Sequence, residues 1–228
     1  MLYRRIAECV LVFILCIIAL VYLVPFLWTA ASALRPAGPM YSYANPLTLE
    51  TFIPKNPTLQ NFFHIFTKQR FGRAMFNSLF VGASVVALGL LVNSMAGFAF
   101  AKFDFPLKNL FFALVLLTFM VPFESIVIPL YVVVQRMGIS NTYSALILPA
   151  IANGMAIFLF RQFFADIPTE LLEAARVDGA SWARVFFQFL LPLSKPALVS
   201  VMIMLFLFNW NALFWPLVAV HSSDLEVV

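Results

Sequence analysis

Long apolar runs without a single charge constrain this chain more than any other feature. From Cys9 to Leu34 no residue is charged, and the same holds from Met75 to Ala101. A helix needs roughly 20 mostly apolar residues to cross a bilayer core. Backbone polar groups in that medium must be satisfied internally, which favours helices. Only 11% of the 228 residues are Asp, Glu, Lys or Arg, while 63% are apolar; soluble domains carry about twice that charged fraction. The expected fold is all-α: one polytopic transmembrane helical bundle over residues 1–228, embedded in the lipid bilayer.

The runs divide the chain into about five spans. The first, 9–34, follows Arg4 and Arg5. Ala31-Ser32-Ala33 resembles a small-residue cleavage site, but the apolar stretch before it exceeds the roughly 7–15 residues of a signal-peptide core. An uncleaved span with a cytoplasmic N-terminus is therefore expected. Residues 35–74 contain Pro36, Pro39, Pro46, Pro54 and Pro57 and read as an external loop, with a short helix near 59–66 capped by Thr58. Spans two to four occupy 75–162: Met75 to Ala101, Asn109 to Val134, and a fourth ending near Phe160, interrupted by Pro149 and Asn153-Gly154. Residues 163–195 form a polar loop, and 196–220 the fifth span. Gly89, Asn93 and Gly97 recur every four residues, so they share a helical face that should pack closely against protein.

The net charge of +4 forms no tract or stripe. Lys and Arg sit at the ends of apolar runs, where they anchor spans and set topology. Counted by side, the N-terminus and the 102–108 and 163–195 regions (with Arg161) hold eight and the opposite side six, which favours a cytoplasmic 163–195. No nucleic-acid partner is expected. Cys9 and Cys16 lie about two turns apart on one helix, too far for a disulfide. His64 and His221 stand alone, so neither a metal nor a cofactor is expected. Apart from Glu124 the spans hold no constellation suited to catalysis, and no Gly-rich phosphate loop is present. The chain is not expected to be an enzyme.

The loop 163–195 is the most specific segment. Asp166 reads as an N-cap with Pro168 in the first helical turn. A helix through Glu173-Ala174-Ala175 should stop at Gly179, which suits a left-handed C-terminal position. Ser181 can cap a second short helix ending before Pro192. The product is a helical hairpin whose small residues Ala174, Ala175 and Gly179 admit close approach, with Glu173, Arg176 and Asp178 to orient a partner. Local chemistry fits an amphipathic connector lying on the bilayer equally well.

Glu173-Ala174-Ala175, Asp178-Gly179-Ala180 and Leu191-Pro192-Leu193-Ser194-Lys195-Pro196 resemble the cytoplasmic loop of ABC importer permeases. Ile128-Pro129-Leu130-Tyr131, Phe158-Leu159-Phe160-Arg161-Gln162-Phe163-Phe164 and Asn209-Trp210-Asn211 are similar to the maltose-type, carbohydrate-importing branch. The resemblance covers most of the chain from about Pro57. It implies a type I ABC importer transmembrane domain, coupled through Glu173, Ala174, Ala175, Asp178 and Gly179 to a dimer of ATP-binding subunits that hydrolyse the ATP. It further implies a second permease subunit, an extracytoplasmic sugar-binding protein, and a bacterial or archaeal cytoplasmic membrane. That family usually has six spans, so the final one is expected to be missing here, through truncation or because it is supplied differently. A permease of another ABC importer class, or a truncated non-functional copy, is the alternative.

Glu124 falls between Pro122 and Pro129 in the third span. An intramembrane carboxylate costs roughly 2.5–3.5 kcal/mol on insertion scales, so it must face protein or water. It either lines the solute pathway or bonds to Asn93, Asn153 or backbone freed at a proline kink. Asn209 and Asn211 in the fifth span are candidates for the same pathway, and interface packing explains them equally well.

Overall fold

The computed structural model describes residues 2–36 and 49–228. Pro39 and Pro46 of the expected external loop lie outside the described residues. Among those described, all regular structure is helical, as the uncharged runs require. The chain divides into two compact units, 1–71 and 72–228.

In the first unit, α1 (Leu2–Ala33) carries no charged residue after Glu8. Its segment Arg5–Ala33 is long and apolar enough to cross a membrane, and residues 5–27 are exposed along it. Cys9 and Cys16 are both free and exposed on it. The last carbonyls of a helix lack partners within the helix, and here the following loop supplies them. Asn61 Nδ2 donates to Ala33 O and Arg35 O at 3.0 and 2.7 Å, and the Thr58 N–H donates to Leu34 O. Arg35 in turn donates to the carbonyls of Glu50 and Thr51 in a short 3-10 turn, Leu49–Thr51. The short loop helix, α2, runs over Gln60–Lys68; Thr58 Oγ1 accepts from the Gln60 N–H at its start.

The second unit opens with α3 (Phe71–Lys102), 32 residues without a break. The next three spans are not straight. Lys108–Met120 (α4) and Phe123–Arg136 (α5) meet at 104°, Tyr143–Ile151 (α6) and Gly154–Ala165 (α7) at 40°. After Thr169–Val177 (α8), Trp182–Leu193 (α9) and Lys195–Trp210 (α10) meet at 84°. Among the described residues two helices are long and apolar enough to span alone, and up to five spans result if each bent pair counts as one. The third span expected at 109–134 therefore turns sharply at Val121-Pro122: the proline withholds an N–H and biases the residue before it away from helix. The stretch 196–220 likewise divides, because α10 stops at Trp210 and a short α11 (Phe214–Ala219) follows.

Two clusters hold this unit together. Phe98, Phe160, Phe164, Leu172, Phe186 and Leu190 join α3, α7, α8 and α9. Val81, Val85, Val127, Val134, Leu146 and Trp215 join α3, α5, α6 and α11, where the Trp215 indole donates to Ala145 O at 2.9 Å. The Gly89–Asn93–Gly97 face is buried as its spacing predicts. A Cβ at Gly97 would lie 2.5 Å from Phe160 Cβ, so only glycine allows α3 and α7 their close approach. Asn93 Nδ2 donates to Ile151 O at 2.8 Å, and its Oδ1 accepts from the Asn153 N–H at 2.8 Å, satisfying backbone exposed by the α6–α7 break.

The segment after α11 is fastened by side chains. Asn141, in left-handed conformation with φ +57°, accepts from the N–H groups of His221 and Ser222. Asn77 donates to Asp224 O and Glu226 O while accepting from the Tyr143 hydroxyl.

Candidate functional site

Two features are candidates: the hairpin of α8 and α9, and a cavity where the broken helices meet. The hairpin begins where α7 ends. Asp166 closes α7 as its C-terminal cap and does not cap α8; α8 starts directly after Pro168, with no side-chain cap. The stop at Gly179 is as its residue type predicts. Gly179 has φ +86°, its N–H donates to Arg176 O, and the Ala180 N–H donates to Ala175 O, both at 3.0 Å. These two bonds form the Schellman pair that closes a helix through a left-handed residue. Arg176 then clamps the turn, donating to Ala180 O at 2.6 Å with its guanidinium 4.9 Å from the Trp182 ring centroid.

Ser181 caps the second arm, accepting from the Arg184 N–H at 3.2 Å. This arm does not end before Pro192. It continues to Leu193, with a π-helical stretch over Val185–Leu190, and bends at Ser194. Wider π turns shift the hydrogen-bond register, which is how the arm carries Pro192 without breaking first.

The hairpin turns two faces to its surroundings. Leu172, Ala175 and Ala180 are buried against the bundle, whereas Glu173, Ala174, Asp178 and Gly179 are exposed. Ala175 therefore packs inward, and Ala174 is the small residue that faces out. A Cβ at Gly179 would meet nothing within 4 Å. Leu171 and Val177 join the outward face as exposed apolar residues, Val177 at 87%. Sequence reasoning passed over both, although their i, i+3 and i+6 relation to Ala174 was available.

The cavity measures about 970 Å³. Glu124, Asn153, Asn209, Trp210, Asn211 and Trp215 are among its lining residues, so the three expected pathway residues share one space. Glu124 lies in the first turn of α5, beside the α4–α5 break. The positive end of that helix favours a carboxylate. Neither expected bond to an asparagine forms: Asn93 is taken up by backbone, and Asn153 Oδ1 caps α7 through the Ala156 N–H. Asn211 Nδ2 donates to Leu207 O at the end of α10, and Trp210 stacks on Phe206 at 5.4 Å. Among the described lining residues Glu124 carries the one ionisable side chain, and there is no cation.

A bundle of broken apolar helices around a mostly apolar cavity that holds a few polar groups, with a helical hairpin beside it, defines a polytopic membrane protein. Comparisons with known proteins specify it further. The profile described as "Binding-protein-dependent transport system inner membrane component" matches residues 86–226. The arabinooligosaccharides transport system permease protein AraQ of Halalkalibacterium halodurans is 40% identical over 209 residues, 91% of this chain and 74% of that protein. The sn-glycerol-3-phosphate transport system permease protein UgpE of Pectobacterium atrosepticum is 41% identical over 155 residues, 68% of this chain and 55% of that protein. Its counterpart in Escherichia coli K12 is 38% identical, covering 80% and 66%. The chain thus spans between about half and three quarters of the length of these relatives. A crystal structure of a bacterial ABC transporter involved in the import of the acidic polysaccharide alginate superposes with a TM-score of 0.85 over 97% of this chain and 76% of that one, at 21% identity. The chain belongs to the family of binding-protein-dependent transport system inner membrane components.

Proposed function

We propose that this chain is the membrane-spanning subunit of an ATP-driven importer of sugars or related polyols in a bacterial or archaeal cytoplasmic membrane. It forms half of the pathway beside a second permease subunit and receives solute from an extracytoplasmic sugar-binding protein. A separate dimer of ATP-binding subunits drives it through the hairpin containing Glu173, Ala174, Asp178 and Gly179. The single observation that carries this reading is the outward face of α8, where small residues, an open glycine and an 87%-exposed valine stand beside two carboxylates. An apolar side chain so exposed at the end of a permease bundle fits a surface covered by a partner.

The cavity supports an uncharged, hydroxyl-rich solute. Asparagine side chains offer both donors and acceptors, and aromatic rings give an apolar seat with defined geometry. A phosphorylated or carboxylated solute would meet the Glu124 carboxylate without a compensating cation from these residues. Among the relatives, the arabinooligosaccharide permease is named for a solute of the uncharged kind.

The test is co-purification with the co-expressed ATP-binding subunit. Ala174→Arg and Glu173→Lys leave the helical backbone undisturbed and alter only the outward face. Both are expected to release the ATP-binding subunit while the permease keeps its unfolding midpoint. Retention of that subunit by both variants overturns the docking role.

A further inference from the structure

Lys102 ends α3, and its ammonium reaches three acceptors on a segment more than sixty residues away in sequence. Its Nζ lies 3.5 Å from Ala165 O, 2.5 Å from Ile167 O and 3.3 Å from Thr169 Oγ1. Those acceptors occupy the junction at which α7 stops and α8 starts. A cation at a helix C-terminus satisfies its last carbonyls and complements its dipole. Beside it, Phe103 packs edge-on against Trp182 at 4.8 Å, and Phe98 lies 5.6 Å from Phe186, so the end of α3 is also an apolar seat for α9.

The remainder of α3 holds other discontinuities. Asn93 bonds both sides of the α6–α7 break, and Asn77 holds the carbonyls of Asp224 and Glu226. Asn77 and Lys102 are about 37 Å apart along an unbroken helix at 1.5 Å per residue. Val81 and Val85, between them, line the cavity. One stiff element thus connects the hairpin junction to the cavity wall, and a transmission element needs rigid contacts at both ends.

We propose that Lys102 is a positioning residue that latches the α7–α8 junction to α3, so that displacement of the hairpin moves the helix framing the cavity. This rests on the reading of the hairpin as the dock for the ATP-binding subunit. Without the latch the junction at residues 165–168 loosens although Leu172 and Ala175 still pack against the core, and hydrolysis moves less solute.

The experiment compares Lys102→Met and Lys102→Arg with wild type in the complete complex, with ATP-binding subunits and binding protein, reconstituted in proteoliposomes. Uptake and ATP hydrolysis are measured in the same vesicles. In Lys102→Met the ATP-binding subunit stays bound and uptake per ATP hydrolysed falls about tenfold, the scale of one lost charge-assisted hydrogen bond. Lys102→Arg, which keeps the charge and the donors, restores most of the loss. Hydrogen–deuterium exchange of residues 165–170 in the same complex accelerates in Lys102→Met and stays near wild type in Lys102→Arg. Unchanged uptake per ATP in Lys102→Met overturns the proposal, as does equal loss in both variants accompanied by release of the ATP-binding subunit. Failure of the docking reading is seen separately, as retention of that subunit by Ala174→Arg and Glu173→Lys; the exchange at 165–170 reports the latch in either case.

Discussion

Gly97→Ala adds one methyl group to α3 at its closest approach to α7. The new Cβ would lie 2.5 Å from Phe160 Cβ, 3.0 Å from Arg161 N and 3.1 Å from Phe160 C. Carbon atoms in contact sit about 3.5–4.0 Å apart, so the two helices must separate by about 1 Å. None of the three obstructing atoms belongs to the flexible end of a side chain, so no rotamer change relieves the clash. Separation also opens gaps around Phe98, Phe160 and Phe164, and a gap of 0.5–1 Å forfeits roughly a quarter to a half of each dispersion contact. Overpacking of this kind costs about 1–3 kcal/mol. Replacing a helical glycine by alanine returns about 0.5–1 kcal/mol, so the net destabilisation is about 0–2.5 kcal/mol, toward the upper end because the obstructing atoms cannot move aside. Gly82→Ala is the internal control, because its Cβ would meet only the Phe206 ring edge at 3.3 Å and Asn209 Oδ1 at 3.6 Å. Both ends can yield, and the helical gain offsets the crowding. Unfolding of the purified permease by dodecyl sulfate in mixed micelles, followed by circular dichroism, should rank Gly97→Ala well below Gly82→Ala and wild type. A Gly97→Ala variant as stable as Gly82→Ala would refute the idea that a backbone-to-backbone contact at this point fixes the α3–α7 distance.

Two further outcomes are expected. Glu124→Gln removes the charge of an exposed residue with no described hydrogen bond, so the unfolding midpoint should hold within about 0.5 kcal/mol. In the reconstituted importer its apparent affinity for solute should weaken roughly fivefold to tenfold, as a charge-assisted hydrogen bond becomes a neutral one; wild-type affinity and rate would remove the carboxylate from the pathway. Ser194 Oγ is buried without a hydrogen-bond partner at the bend between α9 and α10. An unsatisfied buried hydroxyl costs about 1–3 kcal/mol, so Ser194→Ala should raise the unfolding midpoint, and a lowered midpoint would mean that the hydroxyl is bonded after all.

Features written in local chemistry are legible in the sequence. Gly179 needs φ above zero, Ser181 offers an acceptor to the first turn, and Gly89, Asn93 and Gly97 share a face by spacing alone. Long apolar runs give a span count compatible with the two to five candidate crossings among the described residues. Direction is another matter. Hydropathy continues smoothly across Val121-Pro122, and nothing in that continuity measures a turn of 104°. Asp166 misleads because it falls at the end of α7, where the carbonyl of Ala165 also accepts from Lys102, sixty-three residues earlier in the chain. Ala174 and Ala175 are identical letters, yet the 100° step between neighbours sends one outward and the other into the core. Glu124, Asn209 and Asn211 could be suspected singly, but their shared cavity depends on bends at three separate breaks.

The turn at Val121-Pro122 lines the cavity, and it has an electrical consequence. Hydrocarbon does not tolerate bare peptide groups, so irregular backbone at that depth requires protein or water around it. Once water fills the space, the insulating path between the two compartments is shorter there than the full bilayer. The membrane voltage then drops over a shorter path, with a correspondingly steeper field. A complete crossing is worth roughly 2.3 kcal/mol per elementary charge per 100 mV, and whatever protein closes the cavity has to hold against most of it whenever the space is wet.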